Sequence, residues 1–318
     1  REEENMKKKE TEFDTGRSEK MSDVQLSKKL GSYQKQARTW LCVGLVGVLG
    51  GLIAYFAVQD TALKVILVTV LFGGGICCAI FVSGDAQKKL KALMQEQMGD
   101  FFASELRKAF GPDLHSKKMR IDQPLLESMD LLTGQWEECE IENFHEGSHR
   151  GTHFSAANVR LDHVYQRGMP NEGFETCTEM VFKGIVLRCE TRIQAPSAIN
   201  VHARSDISPR GILTDNEAFD RRFCIAAEPE ADAFYLLTPQ FMEFLTQFEE
   251  SIEGKLSGFR WERDVFTLAL ETDYGFAAVA SHVDLSDLDA VRSSYIHSLQ
   301  AMGETLDVLL ENIALFKG

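Results

Sequence analysis

The sequence lacks the short motifs that mark several common enzyme classes. Outside its apolar runs it contains neither GxxxxGK[ST] nor GxGxxG, so the glycine-rich loops that bind nucleotide phosphates are missing. Serine, histidine and aspartate occur without the GxSxG pattern of a nucleophile elbow. We therefore expect no catalytic residue and no cofactor, and an enzyme is the less favoured interpretation.

Cysteines at metal-binding or redox spacing are also missing. The seven cysteines form no CxxC pair, and an odd number without framework spacing fits a reducing compartment. Cys177 and Cys189 flank a Lys183-Gly184 pair that favours a two-residue hairpin turn. That turn would place Cys189 opposite Thr178 and point Cys177 to the other face, so we expect free thiols that lie in the core.

Positive charge is scarce in most of the chain. The formal net charge is -14, residues 1–38 carry +2 and residues 39–82 are neutral, which leaves -16 for residues 83–318. Such a region repels phosphate backbones, so nucleic acid is not an expected partner. The first residue is Arg1, so the chain is a fragment or its start site is uncertain, with Met6 and Met21 as candidate starts. We expect no cleavable secretory signal.

Two long apolar runs dominate the amino-terminal third. Residues 39–58 and 61–82 are each ~20 residues long, enough to cross a ~30 Å hydrocarbon core as a helix, and Gln59 and Asp60 separate them. Neither run has the polar stripe of a soluble core helix. Gly47 and Gly51 have GxxxG spacing, which favours close helix packing within the hairpin or a dimerisation face. The pattern predicts a transmembrane hairpin over 39–82, with the lipid bilayer as partner.

Basic residues flank both runs and indicate their orientation. They are Lys28, Lys29, Lys35 and Arg38 before the first run, and Lys88, Lys89 and Lys91 after the second. By the positive-inside rule, both termini face the cytoplasm.

The rest of the chain predicts an α+β domain. Helical spacing holds over 83–110 and ends at Gly111-Pro112, while short alternating runs bounded by glycine or proline follow from residue 136. We predict a polar tail over 1–38, the hairpin over 39–82, a juxtamembrane helix over 83–111 and a cytoplasmic domain over 112–318. This domain has a mainly antiparallel sheet, with turns near Gly147, Gly168 and Lys183-Gly184, and a helix that starts at Pro239.

A long carboxyl-terminal helix is predicted over 285–316. Its apolar residues follow one another at spacings of four and three: Tyr295, Leu299, Met302, Leu306, Leu309, Ile313 and Phe316. This spacing is typical of a coiled-coil seam, and a wider apolar face is typical of a helix that lies across its own sheet. The first alternative would make the protein a homo-oligomer or a subunit of a larger membrane complex.

One literal HExxH motif occurs at residues 145–149. On a helix, His145 and His149 would bind zinc and Glu146 would activate the water of a metallopeptidase. Gly147 and Gly151 interrupt the segment, however, and its flanks have β-like composition. We expect a turn with three exposed histidines, His153 included, and keep the zinc peptidase as an alternative.

Three phrases carry a family resemblance: 181–185 (VFKGI), 217–223 (EAFDRRF) and 235–245 (YLLTPQFMEFL). They resemble the bacterial membrane proteins grouped as domain of unknown function 3137, and 154–159 (FSAANV) looks like a strand of the same family. The resemblance spans roughly residues 35–275. It implies a bacterial protein with an amino-terminal hairpin and a cytoplasmic α+β domain, and no known activity.

Together these observations predict a protein of the bacterial inner membrane, with two spans. Its acidic cytoplasmic domain is expected to act as a binding or scaffolding module for a protein partner. The alternatives are the zinc peptidase and the complex subunit assembled through the carboxyl-terminal helix.

Overall fold

The computed structural model describes residues 21–57, 61–77, 83–116, 121, 123–129, 136–169, 173–204 and 211–311. The chain divides into two compact units. The first comprises residues 1–101 and 284–291, and the second comprises residues 102–283 and 292–318.

The first unit is helical. Its elements are α1 (Asp23–Ala57), α2 (Thr61–Val68), a π-helical turn (Thr69–Gly73), α3 (Gly74–Cys77) and the first part of α4 (Ser83–Phe110). Within the described ranges, α1 is the helix that is long and apolar enough to cross a membrane, and the apolar stretch Thr61–Gly73 is shorter. The last five residues of the predicted second span, 78–82, lie outside the described residues.

Glycines let α1 approach the second apolar stretch closely. A Cβ atom added to Gly47 would lie 3.0 Å from the Gly75 Cα, and one added to Gly75 would lie 2.7 Å from the Gly44 carbonyl oxygen. An added Gly51 Cβ would lie 3.0 Å from the Phe72 Cβ. Both residues of the GxxxG pair therefore face the second stretch of the same chain, as expected where small residues permit backbone contact.

The polar start of α1 is anchored within this unit. The Ser27 hydroxyl donates to the Ser286 carbonyl, and the backbone N–H of Leu285 donates to Gln34 Oε1 at 3.1 Å. Leu26 and Leu30 on the same part of α1 are buried. Helix α1 therefore begins 16 residues before the apolar run that starts at residue 39.

The second unit contains an antiparallel sheet. Among the described residues it has seven strands in the order β1-β2-β3-β7-β6-β4-β5. The strands are β1 (Glu138–His149), β2 (Thr152–Met169), β3 (Gly173–Glu190), β4 (Ile199–Ala203), β5 (Phe223–Ala227), β6 (Lys255–Glu262) and β7 (Val265–Glu271). The helices are α5 (Gln123–Met129), α6 (Glu217–Arg222), α7 (Glu230–Leu236), α8 (Pro239–Ser251) and α9 (Leu288–Leu310), which starts in the first unit.

The prediction of a turn at Lys183-Gly184 is wrong. Strand β3 runs through both residues, and Gly184 pairs with Val159 on one side and with Glu271 on the other. Cys189 therefore lies opposite Phe154 instead of Thr178. The glycine is needed because β3 and β7 come close together at this point, since an added Cβ would lie 1.8 Å from the Leu270 carbonyl oxygen.

The β1–β2 turn lies three residues beyond the predicted position. Arg150 and Gly151 have φ angles of 47° and 81° and connect His149 to Thr152. Two central residues with positive φ match the twist of the flanking strands. Gly147 itself is a strand residue, and Leu114 packs where its Cβ would be.

The two faces of the sheet carry different cores. On one face, Phe241 of α8 makes edge-to-face contacts with Phe259, Trp261 and Phe266 at centroid distances of 6.0–6.2 Å. On the other face, a second apolar cluster contains Phe144, Ala157, Val186 and Ala269, together with Leu126 of α5. This second cluster ends at a row of polar residues.

The regularly spaced apolar side chains of helix α9 are buried within the chain. Tyr295, Leu299, Met302, Leu306 and Leu309 are each at most 4% exposed, and the Tyr295 ring contacts the Phe102 ring at a centroid distance of 4.4 Å. This agrees with the interpretation of a helix laid across its own domain. Ile313 and Phe316 lie outside the described residues.

The cysteines of the sheet should differ sharply in reactivity. Cys189 is 1% exposed and burial raises the pKa of its thiol, whereas Cys177 is partly exposed. A neutral buried thiol is a poor nucleophile. We therefore expect iodoacetamide to modify Cys177 in the folded protein and Cys189 only after denaturation, as measured by peptide mass spectrometry. Equal modification of both residues under native conditions would contradict this expectation.

Candidate functional site

A row of polar residues crosses the sheet at right angles to its strands. Cross-strand partners lie on one face, so successive pairings place six side chains side by side. In the order of the strands they are Glu146, Ser155, Arg188, Thr267, Arg260 and Asn200. We call them the polar row. It lies on the face that carries the second apolar cluster.

Glu146 is held in this row from both sides of its strand. It pairs with Ser155 on β2, and on its other edge its backbone exchanges hydrogen bonds with His115 at 3.0 and 3.1 Å. Leu114 packs against the adjacent Gly147. These contacts fix the position of the Glu146 backbone, and its side chain is 17% exposed.

A cavity of about 130 Å³ lies at the β1 end of the polar row. Its walls are formed by Phe144, Glu146, His153, Ser155, Arg188, Cys189, Glu190 and Val265. We call it the Glu146–Arg188 cavity. Its volume corresponds to about four molecules of liquid water. A second depression of about 280 Å³ shares Arg188 and Val265 and includes Arg260 and Thr267.

Two buried polar atoms in the walls of this cavity have no hydrogen-bond partner among the described residues. They are Glu146 Oε2, an acceptor, and Arg188 Nε, a donor. Buried polar groups in folded proteins are paired in the great majority of cases, because desolvation without a partner is costly. Both side chains line the cavity, but the two unpartnered atoms themselves are covered by protein and do not open onto it.

His153 connects the two carboxylates of the cavity. Its Nε2 lies 3.2 Å from Glu146 Oε1, and its Nδ1 lies 3.6 Å from Glu190 Oε1. The imidazole therefore lies next to Glu146 Oε1, whereas the oxygen without a partner among the described residues is Oε2. Glu146 lies on β1 and Glu190 on β3, so the His153 imidazole lies between carboxylates from two different strands.

Arg188 is the arginine that lines the cavity, and it lies two residues from Glu190 on β3. Burial lowers the pKa of its guanidinium, and the carboxylate of Glu262 opposes that shift. An arginine side chain stays charged at physiological pH even so. Glu262 is half exposed and also accepts hydrogen bonds from Arg260 at 3.1 and 3.2 Å, so its charge is shared between two arginines.

The structure does not bring the residues of the HExxH motif together. The motif lies on β1, where residues four apart are about 13 Å apart along the strand. Alternation also places Glu146 on the face opposite to His145 and His149. Zinc bonds to imidazole are about 2.0–2.1 Å long, so one ion could not contact both histidines in this geometry. The described residues contain no group of three or more metal-binding side chains.

The two histidines of the motif have separate environments. His145 is buried, donates through Nδ1 to the Asn143 carbonyl at 2.8 Å and contacts the Phe276 ring. Burial lowers its pKa, and the hydrogen bond to Asn143 partly offsets the effect. His149 Nε2 lies 2.6 Å from Asp307 Oδ1 of α9. The expectation of three exposed histidines is therefore wrong for the buried His145 and for His149, whose side chain is 18% exposed.

Sequence reasoning missed Arg188, Ser155 and Glu190. Arg188 follows Ile185, Val186 and Leu187 in an otherwise apolar run, and a charge inside such a run is the signal that could have singled it out. The pairing that places Arg188 two strands from Glu146 could not be read from the sequence, because it required the register of β2 against both neighbours.

Comparisons with known proteins find that part of the chain is similar to one family. No curated protein matches the sequence. A search of solved structures gives the crystal structure of the mycobacterial trehalose monomycolate transport factor A, TtfA, at 9% identity and a TM-score of 0.30, covering 66% of this chain and 95% of that one. Residues 180–309 match the family described as protein of unknown function (DUF3137). The segments 181–185, 217–223 and 235–245 lie within the matched residues, so the resemblance to this family is confirmed for that part of the chain.

Proposed function

We propose that this protein is a membrane-anchored binding module. Two apolar helical stretches form a transmembrane hairpin, both termini lie in the cytoplasm, and the sheet domain binds a partner on that side. The family resemblance implies that the membrane is the inner membrane of a bacterium. The observation that carries the proposal is the apolar surface of α1 and of the stretch that packs against it.

That surface fits hydrocarbon better than water. Large apolar side chains on both stretches are 40–76% exposed, among them Leu45, Ile53 and Phe56 on α1 and Ile66 and Val70 on the second stretch. A contiguous apolar patch of this kind marks a site of membrane or protein contact. The glycine contacts between the stretches support a hairpin in which each helix crosses the bilayer.

The binding role is supported by the polar row and its cavity. Glu146, Arg188 and Glu190 line one small cavity, and a few polar side chains that converge on a cavity are typical of a site that binds a ligand. A scaffolding role for a protein partner is compatible with the same domain. Assembly through α9 is not proposed for residues 295–309, because their apolar side chains are already buried in the chain.

Cysteine labelling tests the hairpin. In a variant without native cysteines, we expect a single cysteine that replaces Asp60 to react with a membrane-impermeant maleimide added to the outside of spheroplasts. A cysteine that replaces Gly318 should react only after the membrane is permeabilised, because the positive-inside rule places it in the cytoplasm. Each labelled fraction is read by mass shift on a gel.

Two controls make the result interpretable. Both variants should stay in the membrane pellet after alkaline carbonate extraction, as an integral protein does. Labelling of position 318 alone from outside would reverse the proposed orientation, and labelling of both positions from outside would mean that the second stretch does not cross the membrane. Release of the chain by carbonate would refute the membrane anchor altogether.

A further inference from the structure

Two arginines of the polar row flank a threonine on one face of the sheet. Arg188 of β3 pairs with Thr267 of β7, and Thr267 pairs with Arg260 of β6. Neighbouring strands lie about 4.8 Å apart, so the Thr267 side chain lies between those of the two arginines. All three line the second depression of about 280 Å³, which we call the Arg188–Arg260 depression. Its other walls are formed by Glu262, Arg263, Asp264 and Val265.

Arg188 is partly buried and has no counter-ion in direct contact. Its guanidinium makes no hydrogen bond and no ion pair with any residue that the structure describes. The Nε atom is covered by protein, whereas the two Nη atoms are not. A charge that is partly removed from water is stabilised by a partner of opposite sign. Arg188 therefore offers two accessible Nη donors to an anion.

Arg260 and Thr267 complete the positive face of the depression. Arg260 donates to Asn200 Oδ1 through Nη1 at 2.9 Å, and to Glu262 Oε2 through Nε and Nη2 at 3.2 and 3.1 Å. These bonds fix its guanidinium before a ligand binds. Thr267 is 4% exposed, yet its hydroxyl is not covered by protein and makes no hydrogen bond with another described residue. An anion beside Arg188 would therefore meet a hydroxyl donor and a fixed positive charge.

The charge of the depression favours a singly charged anion. Its walls contain three arginines and two carboxylates, which leaves one positive charge in excess within the acidic region of residues 83–318. A doubly charged phosphate would exceed that balance and lie near Glu262 and Asp264. A carboxylate carries one charge, and its two oxygens match the planar pair of donors of a guanidinium.

We propose that the Arg188–Arg260 depression binds a small organic anion through its carboxylate. The carboxylate oxygens accept hydrogen bonds from the Arg188 Nη atoms and the Thr267 hydroxyl, and Arg260 adds positive charge. The volume of the depression corresponds to about nine molecules of liquid water, so only a few heavy atoms fit beside the carboxylate. This proposal rests on the binding role proposed above, to which it assigns a ligand class, and does not depend on membrane anchoring.

Fluorine NMR of the full chain in a non-ionic detergent tests the proposal with two probes of similar shape. Trifluoroacetate carries the carboxylate, and trifluoroacetamide is its neutral analogue. We expect saturable broadening of the trifluoroacetate signal at millimolar concentration, and at least about tenfold weaker binding of the amide, because the amide lacks the charge. Acetate should displace trifluoroacetate, and inorganic phosphate should compete at least about tenfold more weakly than acetate.

Variants of the depression and a matched control locate the site. R188Q should weaken trifluoroacetate binding by about tenfold or more, and T267V, which removes the hydroxyl and keeps the shape, by about threefold. R160Q removes the same charge as R188Q from a side chain that is 48% exposed. Strand alternation places Arg160 on the opposite face of the sheet from Ser155, so R160Q should leave the affinity unchanged.

The E262Q variant predicts tighter binding, which a folding defect cannot produce. Glu262 is 52% exposed, and its charge acts on both Arg188 and Arg260. Without that charge, trifluoroacetate should bind about threefold more tightly or better, because less negative charge opposes the anion. Thermal unfolding without probe shows whether each variant is folded, and E262Q decides the question if R188Q does not fold.

Several results would overturn the proposal. They are the absence of saturable broadening with the folded wild-type chain, equal binding of trifluoroacetamide, and equal affinities of R160Q and R188Q. Unchanged or weaker binding by folded E262Q would also contradict it. Phosphate that displaces trifluoroacetate more readily than acetate does would show a phosphate site instead of a carboxylate site. The labelling experiment on positions 60 and 318 would still decide the membrane anchor, so the two failures are distinguishable.

Discussion

Substituting alanine for Gly184 is expected to destabilise the sheet domain by about 3 kcal/mol or more, enough to unfold a marginally stable domain. The added Cβ would lie 1.8 Å from the Leu270 carbonyl oxygen and 2.8 Å from its carbonyl carbon. Both atoms belong to backbone that pairs with β3, so no side-chain rotation relieves the clash. Strands β3 and β7 would have to separate in the middle of the sheet.

Denaturant unfolding of the detergent-solubilised chain measures this effect. Trp261 is 1% exposed, so its fluorescence reports the loss of the sheet core. The matched control is Gly303→Ala on α9, where an added Cβ meets no atom within 4 Å. That variant should be as stable as the wild type or up to about 1 kcal/mol more stable, because alanine favours a helix interior. Equal stability of the Gly184→Ala chain and the wild type would refute the assigned strand pairing.

The second large effect is expected for Phe276→Ala, with a loss of about 3–5 kcal/mol. Phe276 is fully buried, and its ring contacts Phe110 at a centroid distance of 5.6 Å and His145 at 5.4 Å. Asn158 holds its backbone: the Phe276 N–H donates to Asn158 Oδ1 at 2.7 Å, and Asn158 Nδ2 donates to the Phe276 carbonyl at 3.0 Å. The backbone is thus fixed, and the structure could not collapse easily around the missing ring.

The control for this variant removes the same ring from an exposed position. Phe234 on α7 is 49% exposed, so Phe234→Ala should cost about 1 kcal/mol or less. The same unfolding assay compares the two. A loss below about 1 kcal/mol for Phe276→Ala would mean that the loop before α9 does not pack on the sheet as described.

Local chemistry made several elements predictable from the sequence. Helix α8 begins at Pro239 with the Thr238 hydroxyl accepting from the Phe241 N–H at 3.3 Å, as a proline at the first helical position suggests. Helix α9 begins after Asp287, whose carboxylate accepts from the Ala290 N–H at 3.0 Å. The helix over residues 83–110 ends at Gly111, which has a φ of 82°. Each of these signals acts within a few residues.

The error at Lys183-Gly184 shows where local chemistry is insufficient. A glycine after a polar residue suits a tight turn, and it equally suits a strand residue against which another backbone packs. Pairing with β7, more than 80 residues later, decided between the two. The candidate site could not be predicted from the sequence for the same reason. Only the register of β2 against both neighbouring strands places Glu146 and Arg188 in one row.

The sequence alone determined the ends of several helices, the alternation of the strands, the acidic charge of residues 83–318 and the apolar runs from which membrane anchoring is proposed. These follow from caps, periodicity, composition and length, which are properties of neighbouring residues. The tertiary structure alone decided that the HExxH segment is a strand, that Glu146 and His145 lie on opposite faces, and that Glu146 and Arg188 line one cavity. Those outcomes depend on strand register, which is set by contacts between residues far apart in the chain.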